Sequence, residues 1–186
     1  MVQLVGILLS ISSTLFMINN PRFIELNSKS KINELKKEFA FSMGIYYLLF
    51  IIGGFFLVMV VPELLLLIKS KAVLPGSGIL VLYLIVMLLE GNHSFFGTMI
   101  VIRNSVPFLS AALISGGFII LGSYLCLTFT SYDLLGLILV QGIVQLAYNN
   151  WKWPYVVLKD YNIRLYDFLI LVGSEIFYKI KTYYVR

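Results

Sequence analysis

Long apolar runs, separated by short polar stretches, set the pattern of the chain. A helix that spans a membrane needs about 20 mostly apolar residues. We therefore predict an all-α membrane protein, in which residues 1–160 form an antiparallel bundle of about five transmembrane helices. The five apolar runs cover residues 2–18, 42–68, 79–102, 106–129 and 134–149.

The connection between the first two runs is long and charged. An Asn-Asn-Pro sequence at residues 19–21 is predicted to end the first helix, because proline disfavours helical backbone in the residue before it. Further along, Ile32, Leu35 and Phe39 recur at helical spacing among Lys and Glu residues. This spacing predicts a short amphipathic helix at the membrane surface. In the second run, Pro62 is predicted to kink or restart the helix.

Residues 161–186 form a mixed tail. Its apolar run, residues 163–180, is interrupted by charged side chains that include Asp167 and Glu175. A spanning helix here would bury at least one of these carboxylates in lipid, at a cost of about 2.5–3.5 kcal/mol. We therefore predict an amphipathic helix on the cytoplasmic side of the membrane, and not a sixth span.

The composition agrees with a lipid environment. Hydrophobic residues make up 60% of the chain and charged residues 12%, whereas soluble domains carry about 25% charged residues. The net charge of +5 could suggest a nucleic-acid partner. We expect no nucleic acid, because the basic residues lie in the gaps between apolar runs and not on one wettable face.

Lys and Arg are distributed unequally between the two sides of the predicted bundle. One side holds 12 of them and the other holds 2, which are Lys69 and Lys71. Cytoplasmic loops are enriched in these residues, so we predict a multi-pass protein with its N-terminus outside and its C-terminus in the cytoplasm. The 12 cytoplasmic residues are Arg22, Lys29, Lys31, Lys36, Lys37, Arg103, Lys152, Lys159, Arg164, Lys179, Lys181 and Arg186.

A group of polar residues lies in the middle of the third apolar run. Glu90, His93, Ser94 and Gly97 share one helix face, with Asn92 beside them. An ionisable group at bilayer depth is expensive and usually faces a polar interior. We predict an ion or substrate pathway here, in which Glu90 and His93 bind a cation or a proton, or hydrogen-bond a substrate. The alternative is a structural clamp between packed helices.

Further polar side chains share one face of the fifth run. Gln141, Gln145 and Asn149 follow one another at intervals of one helical turn, and Asn150 is predicted to end the helix. These amides could hydrogen-bond sugar hydroxyls or bridge neighbouring helices, and the pattern leaves both open. The residues that follow are typical of an interfacial aromatic belt, and they are Trp151, Trp153 and Tyr155.

The sequence contains no motif for catalysis or for a cofactor. The chain has a single cysteine, Cys126, so it can form no internal disulfide and no metal site built from Cys. There is no glycine-rich phosphate loop and no second histidine. We therefore predict no enzymatic activity, no cofactor and no metal site.

Three stretches of the chain resemble a known family. They are Leu-Glu-Gly-Asn-His-Ser at residues 89–94, Arg-Asn-Ser-Val-Pro-Phe at 103–108, and Gln-Gly-Ile-Val-Gln-Leu-Ala-Tyr-Asn-Asn-Trp-Lys-Trp-Pro at 141–154. Together they resemble the bacterial flippases that translocate O-antigen and capsule repeat units, within the multidrug/oligosaccharidyl-lipid/polysaccharide exporter superfamily. The resemblance covers roughly residues 10–160 and the last spans of such a flippase.

This resemblance implies an inner-membrane transporter with two related helical halves, which works by alternating access. Its substrate would be an oligosaccharide on an undecaprenyl-diphosphate carrier, and a proton or sodium ion could drive transport. The chain begins almost directly with an apolar run. We therefore expect a truncated or split gene product, or one that needs the N-terminal half or another membrane subunit as its partner.

Two other functions remain open from the sequence. One is a non-transporting scaffold subunit of a polysaccharide-assembly complex, and the other is a membrane-embedded enzyme acting on a lipid-linked substrate. A flippase should contain a wet cavity lined by Glu90, His93 and Gln141, whereas a scaffold should have a dry interface. A membrane enzyme would need a cluster of acidic or His residues at a membrane face, and the sequence has none.

Overall fold

The computed structural model describes residues 1–71 and 74–184, and the regular secondary structure in those ranges is entirely α-helical. No strand occurs within those ranges. The helices in chain order are α1 (Val2–Ser28), α2 (Ile32–Met59), α3 (Val61–Leu67), α4 (Ser77–Val101), α5 (Leu109–Phe129), α6 (Asp133–Ala147), α7 (Asn149–Asp160) and α8 (Leu165–Tyr184).

Four of these helices, α1, α2, α4 and α5, are long and apolar enough to cross a membrane. This finding indicates a membrane protein, as the apolar runs predicted. The fifth predicted span corresponds to α6, which has only 15 residues and is followed by α7 after a break. The count of five spans therefore stays a prediction.

The Asn-Asn-Pro sequence does not end the first helix, so that prediction is wrong. Helix α1 continues through Pro21 as far as Ser28. A proline inside a helix removes one backbone hydrogen bond, but the continuing turns bury Phe23 and Leu26 completely. A hydrogen bond also joins α1 to α2, in which Asn19 Nδ2 donates to Ser42 Oγ at 2.8 Å.

The predicted surface helix around Ile32 is instead the first part of α2, so that prediction is also wrong. Leu35 and Phe39 are no more than 1% exposed and lie in the core, because α1 extends far enough to cover them. The α1–α2 connection is reduced to residues 29–31. The break predicted at Pro62 is confirmed, since α2 ends at Met59 and α3 restarts at Val61.

Helices α1, α2 and α4 form the core of the bundle. Their inner faces meet in a cluster of aromatic rings, where Phe16 stacks on Phe95 at 4.2 Å and Phe39 meets Phe96 edge-on at 5.1 Å. Backbones come close at Gly53, where an added Cβ would lie 2.2 Å from Leu8 Cδ1. The aromatic side chains thus supply the buried apolar area, and glycine permits the close approach of α1 and α2.

The tail helix α8 packs across α2, and its predicted place on the cytoplasmic side of the membrane stays a prediction. Phe168 and Val172 are buried, and a Cβ on Gly44 of α2 would lie 2.6 Å from Ile176 Cδ1. Lys179 forms an ion pair with Glu38 at 2.6 Å. On α8 the contacting residues run from Phe168 to Lys179, which is about 16 Å at 1.5 Å per residue. Their partners on α2 run only from Glu38 to Gly44, about 9 Å, so the two helices cross at a large angle.

Two contacts bring the predicted basic side of the protein to one end of the bundle. Asn27 Nδ2 donates to the Ile102 carbonyl at 3.1 Å, at the ends of α1 and α4. Arg103 pairs with Asp160 at 2.7 Å, at the end of α7, and α8 follows from there. The α1–α2 connection, the α4–α5 turn and the start of the tail therefore share one end, whereas Lys152 lies about 12 Å before Asp160 along α7. Arg186 lies outside the described residues.

A polar cavity at the junction of α6 and α7

A helix interruption lies at Tyr148. Its backbone angles, φ −146° and ψ −60°, are not helical, and its N–H reaches only the Gln145 carbonyl, at 3.4 Å. Helix α6 therefore ends at Ala147, and Asn150 lies in the first turn of α7, so the prediction that Asn150 ends the helix is wrong. Interruptions of this kind release backbone groups from helical hydrogen bonding.

The interruption lies level with the middle of α4. Along α6 and α7, Gly142 packs near Val86, Asn150 contacts His93, and Asp160 pairs with Arg103. Both partners in these contacts advance together along the chain, so α6 and α7 follow α4 in a parallel direction. They act as one discontinuous element of about 40 Å, and its break faces the polar centre of α4.

A cavity of about 410 Å³ occupies the space between α4, α5 and this break. Five of the seven predicted site residues line it, which are Glu90, His93, Ser94, Gln145 and Asn149. Helix α5 supplies small side chains, including Ala112, Ser115 and Gly116. One side of the cavity thus carries carboxylate, imidazole and amide groups from α4, α6 and α7. The opposite side consists of small, mainly apolar residues of α5.

Glu90 and His93 are the ionisable side chains that line the cavity. His93 Nε2 lies 3.7 Å from Glu90 Oε1, which is too far for a hydrogen bond. The other ring nitrogen, Nδ1, lies 2.8 Å from the Asn150 side-chain oxygen. Glu90 Oε2 is buried and has no hydrogen-bond partner. The carboxylate therefore has unused capacity to accept a proton donor or a cation.

Asn149 is the centre of a second polar group, which is bonded within the protein. The Trp153 indole donates to Asn149 Oδ1 at 3.0 Å. The Asn149 amide donates to Gln145 Oε1 at 2.7 Å and to Ser115 Oγ at 3.1 Å. These bonds join α5, α6 and α7, so the helix-bridging interpretation of Gln145 and Asn149 is the one that the geometry favours.

Two predicted site residues lie outside the cavity. Asn92 turns toward α2, where its side-chain oxygen accepts a short hydrogen bond from the Tyr47 hydroxyl. Gln141 is half-buried on α6, one turn away from Gln145, and does not line the cavity. The geometry thus moves the amide part of the predicted pathway from Gln141 to the α6–α7 junction.

Two residues of the cavity wall, Ser115 and Trp153, and the adjacent Asn150 were not predicted as site residues. Asn150 falls outside the helical face of Gln145 and Asn149, and only the interruption at Tyr148 brings it to His93. Ser115 sits among small residues typical of helix packing. Trp153 was assigned to the aromatic belt but is only 5% exposed, because its indole N–H bonds Asn149. The adjacent amides at 149 and 150, after an apolar run, were the available signal.

Gly91 allows α2 to support the charged stretch of α4. A Cβ at this position would lie 2.3 Å from the Tyr46 hydroxyl oxygen. That hydroxyl donates to the Leu88 carbonyl at 2.9 Å. Tyr46 therefore packs directly on the backbone turn that carries Glu90, and any side chain at position 91 would displace it.

A second cavity lies on the other side of the Asn149–Ser115 hydrogen bond. It has a volume of about 560 Å³. Its lining is largely apolar and includes Ile114, Phe118 and Ile143 from α5 and α6. Ser115 and Asn149 line both cavities. The two cavities therefore meet at this pair of side chains, and the one that contains Glu90 and His93 is the more polar of the two.

Comparison with known proteins gives no relative for this arrangement. No family model, curated protein or solved structure matches the chain.

Proposed function

We propose that the chain forms the C-terminal bundle of a bacterial polysaccharide flippase, which moves undecaprenyl-diphosphate-linked oligosaccharides across the inner membrane. The observation that carries this proposal is the polar cavity with Glu90 and His93, halfway along helices of membrane-spanning length. Transporters place substrate and ion sites near the bilayer midplane, at discontinuous helices. The sequence resemblance supplies the substrate class.

The two neighbouring cavities suit an amphipathic substrate. Sugar hydroxyls need hydrogen-bond acceptors, which the compartment of Glu90 and His93 offers. A polyprenyl chain needs an apolar surface, which the α5–α6 compartment offers. In this proposal the two parts of the substrate are separated at Ser115 and Asn149, and a proton or sodium ion at Glu90 drives the cycle.

The proposed transporter also needs a second helical bundle. Helix α5 packs against α6 but buries only Ser115, so its other side chains are available to lipid or to another helix. The cavity beside it is half-open, so this chain alone does not enclose it. We propose that a partner half completes the pathway, with the basic end of the bundle in the cytoplasm.

A scaffold subunit of a polysaccharide-assembly complex is the second candidate. The hydrogen bonds between Asn149, Gln145, Ser115 and Trp153 favour it, since these groups bridge helices and satisfy one another. It does not explain Glu90, whose buried Oε2 has no partner. A group retained only to join helices should be bonded across them.

The Glu90→Gln variant of the assembled transporter tests the proposal. It keeps the shape and hydrogen-bonding capacity of the side chain but removes the charge, so we expect polysaccharide export to fall sharply at unchanged protein level. Glu63→Gln is the matched control, because Glu63 is exposed on α3 and should be dispensable. Normal export by Glu90→Gln at wild-type protein level would show that the charge is unnecessary.

A further inference from the structure

We propose that Asn150 is the positioning residue of the Glu90–His93 pair. Its side-chain oxygen accepts the His93 Nδ1–H, which leaves the lone pair of Nε2 facing Glu90. This inference deepens the proposed function, on which its role in transport rests. Its test does not involve export, however, so the two can fail separately.

The position of the proton on His93 follows from the chemistry of its neighbours. A neutral imidazole has one N–H donor and one acceptor nitrogen, and an amide oxygen can only accept. The Asn150 oxygen lies 2.8 Å from Nδ1, so Nδ1 carries the proton. The gap of 3.7 Å between Nε2 and Glu90 agrees with this, because a proton on Nε2 would draw the carboxylate into hydrogen-bonding distance.

The consequence is a pair of acceptors facing each other across the cavity wall. Nε2 has a free lone pair, and Glu90 Oε2 is buried without a partner. One added proton, on either Nε2 or Oε1, would form a hydrogen bond between these two atoms, whereas Oε2 would still lack a partner. Among the described residues that line the cavity, no other side chain is acidic or basic.

The groups packed around this stretch of α4 leave the pair undisturbed. From α2, the titratable groups are Tyr46 and Tyr47, whose hydroxyls bond Leu88 and Asn92. From α5, α6 and α7, the cavity receives only uncharged side chains. Asn150 is therefore the contact that decides which nitrogen of His93 faces Glu90.

Asn150 also links the pair to the interrupted helix. It lies in the first turn of α7, directly after the break at Tyr148, and bonds across to α4. A movement of α7 relative to α4 would break this bond and release the preference for one tautomer. Whether Nε2 presents a lone pair or an N–H to Glu90 would then depend on the position of α7. This dependence couples proton binding to helix movement.

Nitrogen NMR of the full chain in lipid nanodiscs tests the inference. His93 is the only histidine, so ¹⁵N-histidine labelling reports this side chain alone. At a pH where the imidazole is neutral, we expect the Nδ1–H tautomer in the wild-type protein. In Asn150→Leu, the ratio of Nδ1–H to Nε2–H should fall at least about fivefold, which is the effect of losing one ordinary hydrogen bond.

Two further variants separate positioning from a general effect on the fold. Asn150→Asp retains an acceptor and should keep the proton on Nδ1. Gln141→Leu removes an amide of α6 that is half-buried and lies outside the cavity, and it should leave the tautomer unchanged. An Nε2–H tautomer in the wild-type protein, or an unchanged ratio in Asn150→Leu, would overturn the inference even if Glu90→Gln abolished export.

Discussion

Single residues in the middle of α4 show how side-chain size and chemistry shape the candidate site. Gly91 sits where the Tyr46 hydroxyl meets the helix, and the close approach holds the turn that carries Glu90. In the sequence, this glycine only weakens a helix. In the folded protein it permits a contact with a second helix, and its replacement should therefore cost stability.

We predict that Gly91→Ala destabilises the protein by about 1–3 kcal/mol, the usual cost of overpacking a well-packed position. The new Cβ would lie 2.3 Å from the Tyr46 oxygen and 2.8 Å from Cζ, and a ring cannot retreat far within a packed core. Thermal unfolding in detergent micelles measures the effect. Gly117→Ala is the control, because a Cβ there meets no atom within 4 Å.

The control should unfold at or slightly above the wild-type temperature, since alanine favours helix by about 1 kcal/mol over glycine. If Gly91→Ala proved as stable as Gly117→Ala, the close packing of Tyr46 on α4 would be wrong.

Some individual residues of the site could be predicted from the sequence. Glu90, His93 and Ser94 stand out because polar groups at helical spacing inside an apolar run are costly unless they share an interior. Asn150 could not be predicted, since its partner His93 lies 57 positions away and meets it only through helix packing. Asn92 was misplaced because Tyr47 competes for its side chain.

The observed helices agree with the apolar runs in position, but the residues at which they begin and end differ from the prediction. Apolar runs identify helices through the cost of exposing backbone groups to lipid, and α1, α2, α4 and α5 match the runs in position. Local signals failed where packing outweighed them, as at Pro21, where the extra turns of α1 bury Phe23. The break at Tyr148 has no local sign, since it lies between a Leu-Ala pair and two amides.

The attachment of α8 to α2 gives a prediction at the scale of elements. Phe168 is 2% exposed and meets Phe39 at 5.4 Å and Phe96 at 5.6 Å between ring centres. Phe168→Ala should therefore lower the unfolding free energy by about 3–5 kcal/mol. Phe177→Ala on the same helix, where the side chain is 72% exposed, should change it by about 0.5 kcal/mol or less.

Denaturant unfolding of both variants in one detergent gives the comparison. Equal stability of the two variants would mean that α8 is not held against α2 by the Phe168 contact. The Lys179–Glu38 ion pair should matter less, because both side chains are about one third exposed and such pairs contribute about 1 kcal/mol or less.

The charge distribution sets the expected orientation of the whole molecule. The contacts Asn27–Ile102 and Arg103–Asp160 place the charged regions at one end of the bundle, and the positive-inside rule assigns that end to the cytoplasm. We predict that, in a Cys126→Ala background, Lys71→Cys reacts with a membrane-impermeant thiol reagent applied to spheroplasts. Lys37→Cys should react only after the membrane is permeabilised, and the reverse pattern would invert the topology.

We predict that the half-open cavity beside the α6–α7 junction is filled with water in the membrane. Gly116 and Gly117 provide a matched pair of positions to test it. A Cβ at either glycine meets no atom within 4 Å, and the two lie at the same depth on α5. Only Gly116 lines the cavity with Glu90 and His93.

The most direct measurement is the rate at which cysteines at these two positions react with a small water-soluble thiol reagent in membranes, in the Cys126→Ala background. Thiols react as thiolates, which require water. We predict that Gly116→Cys is modified readily, whereas Gly117→Cys, facing away from the cavity, is protected. Protection of both positions would show a dry interface and contradict the account.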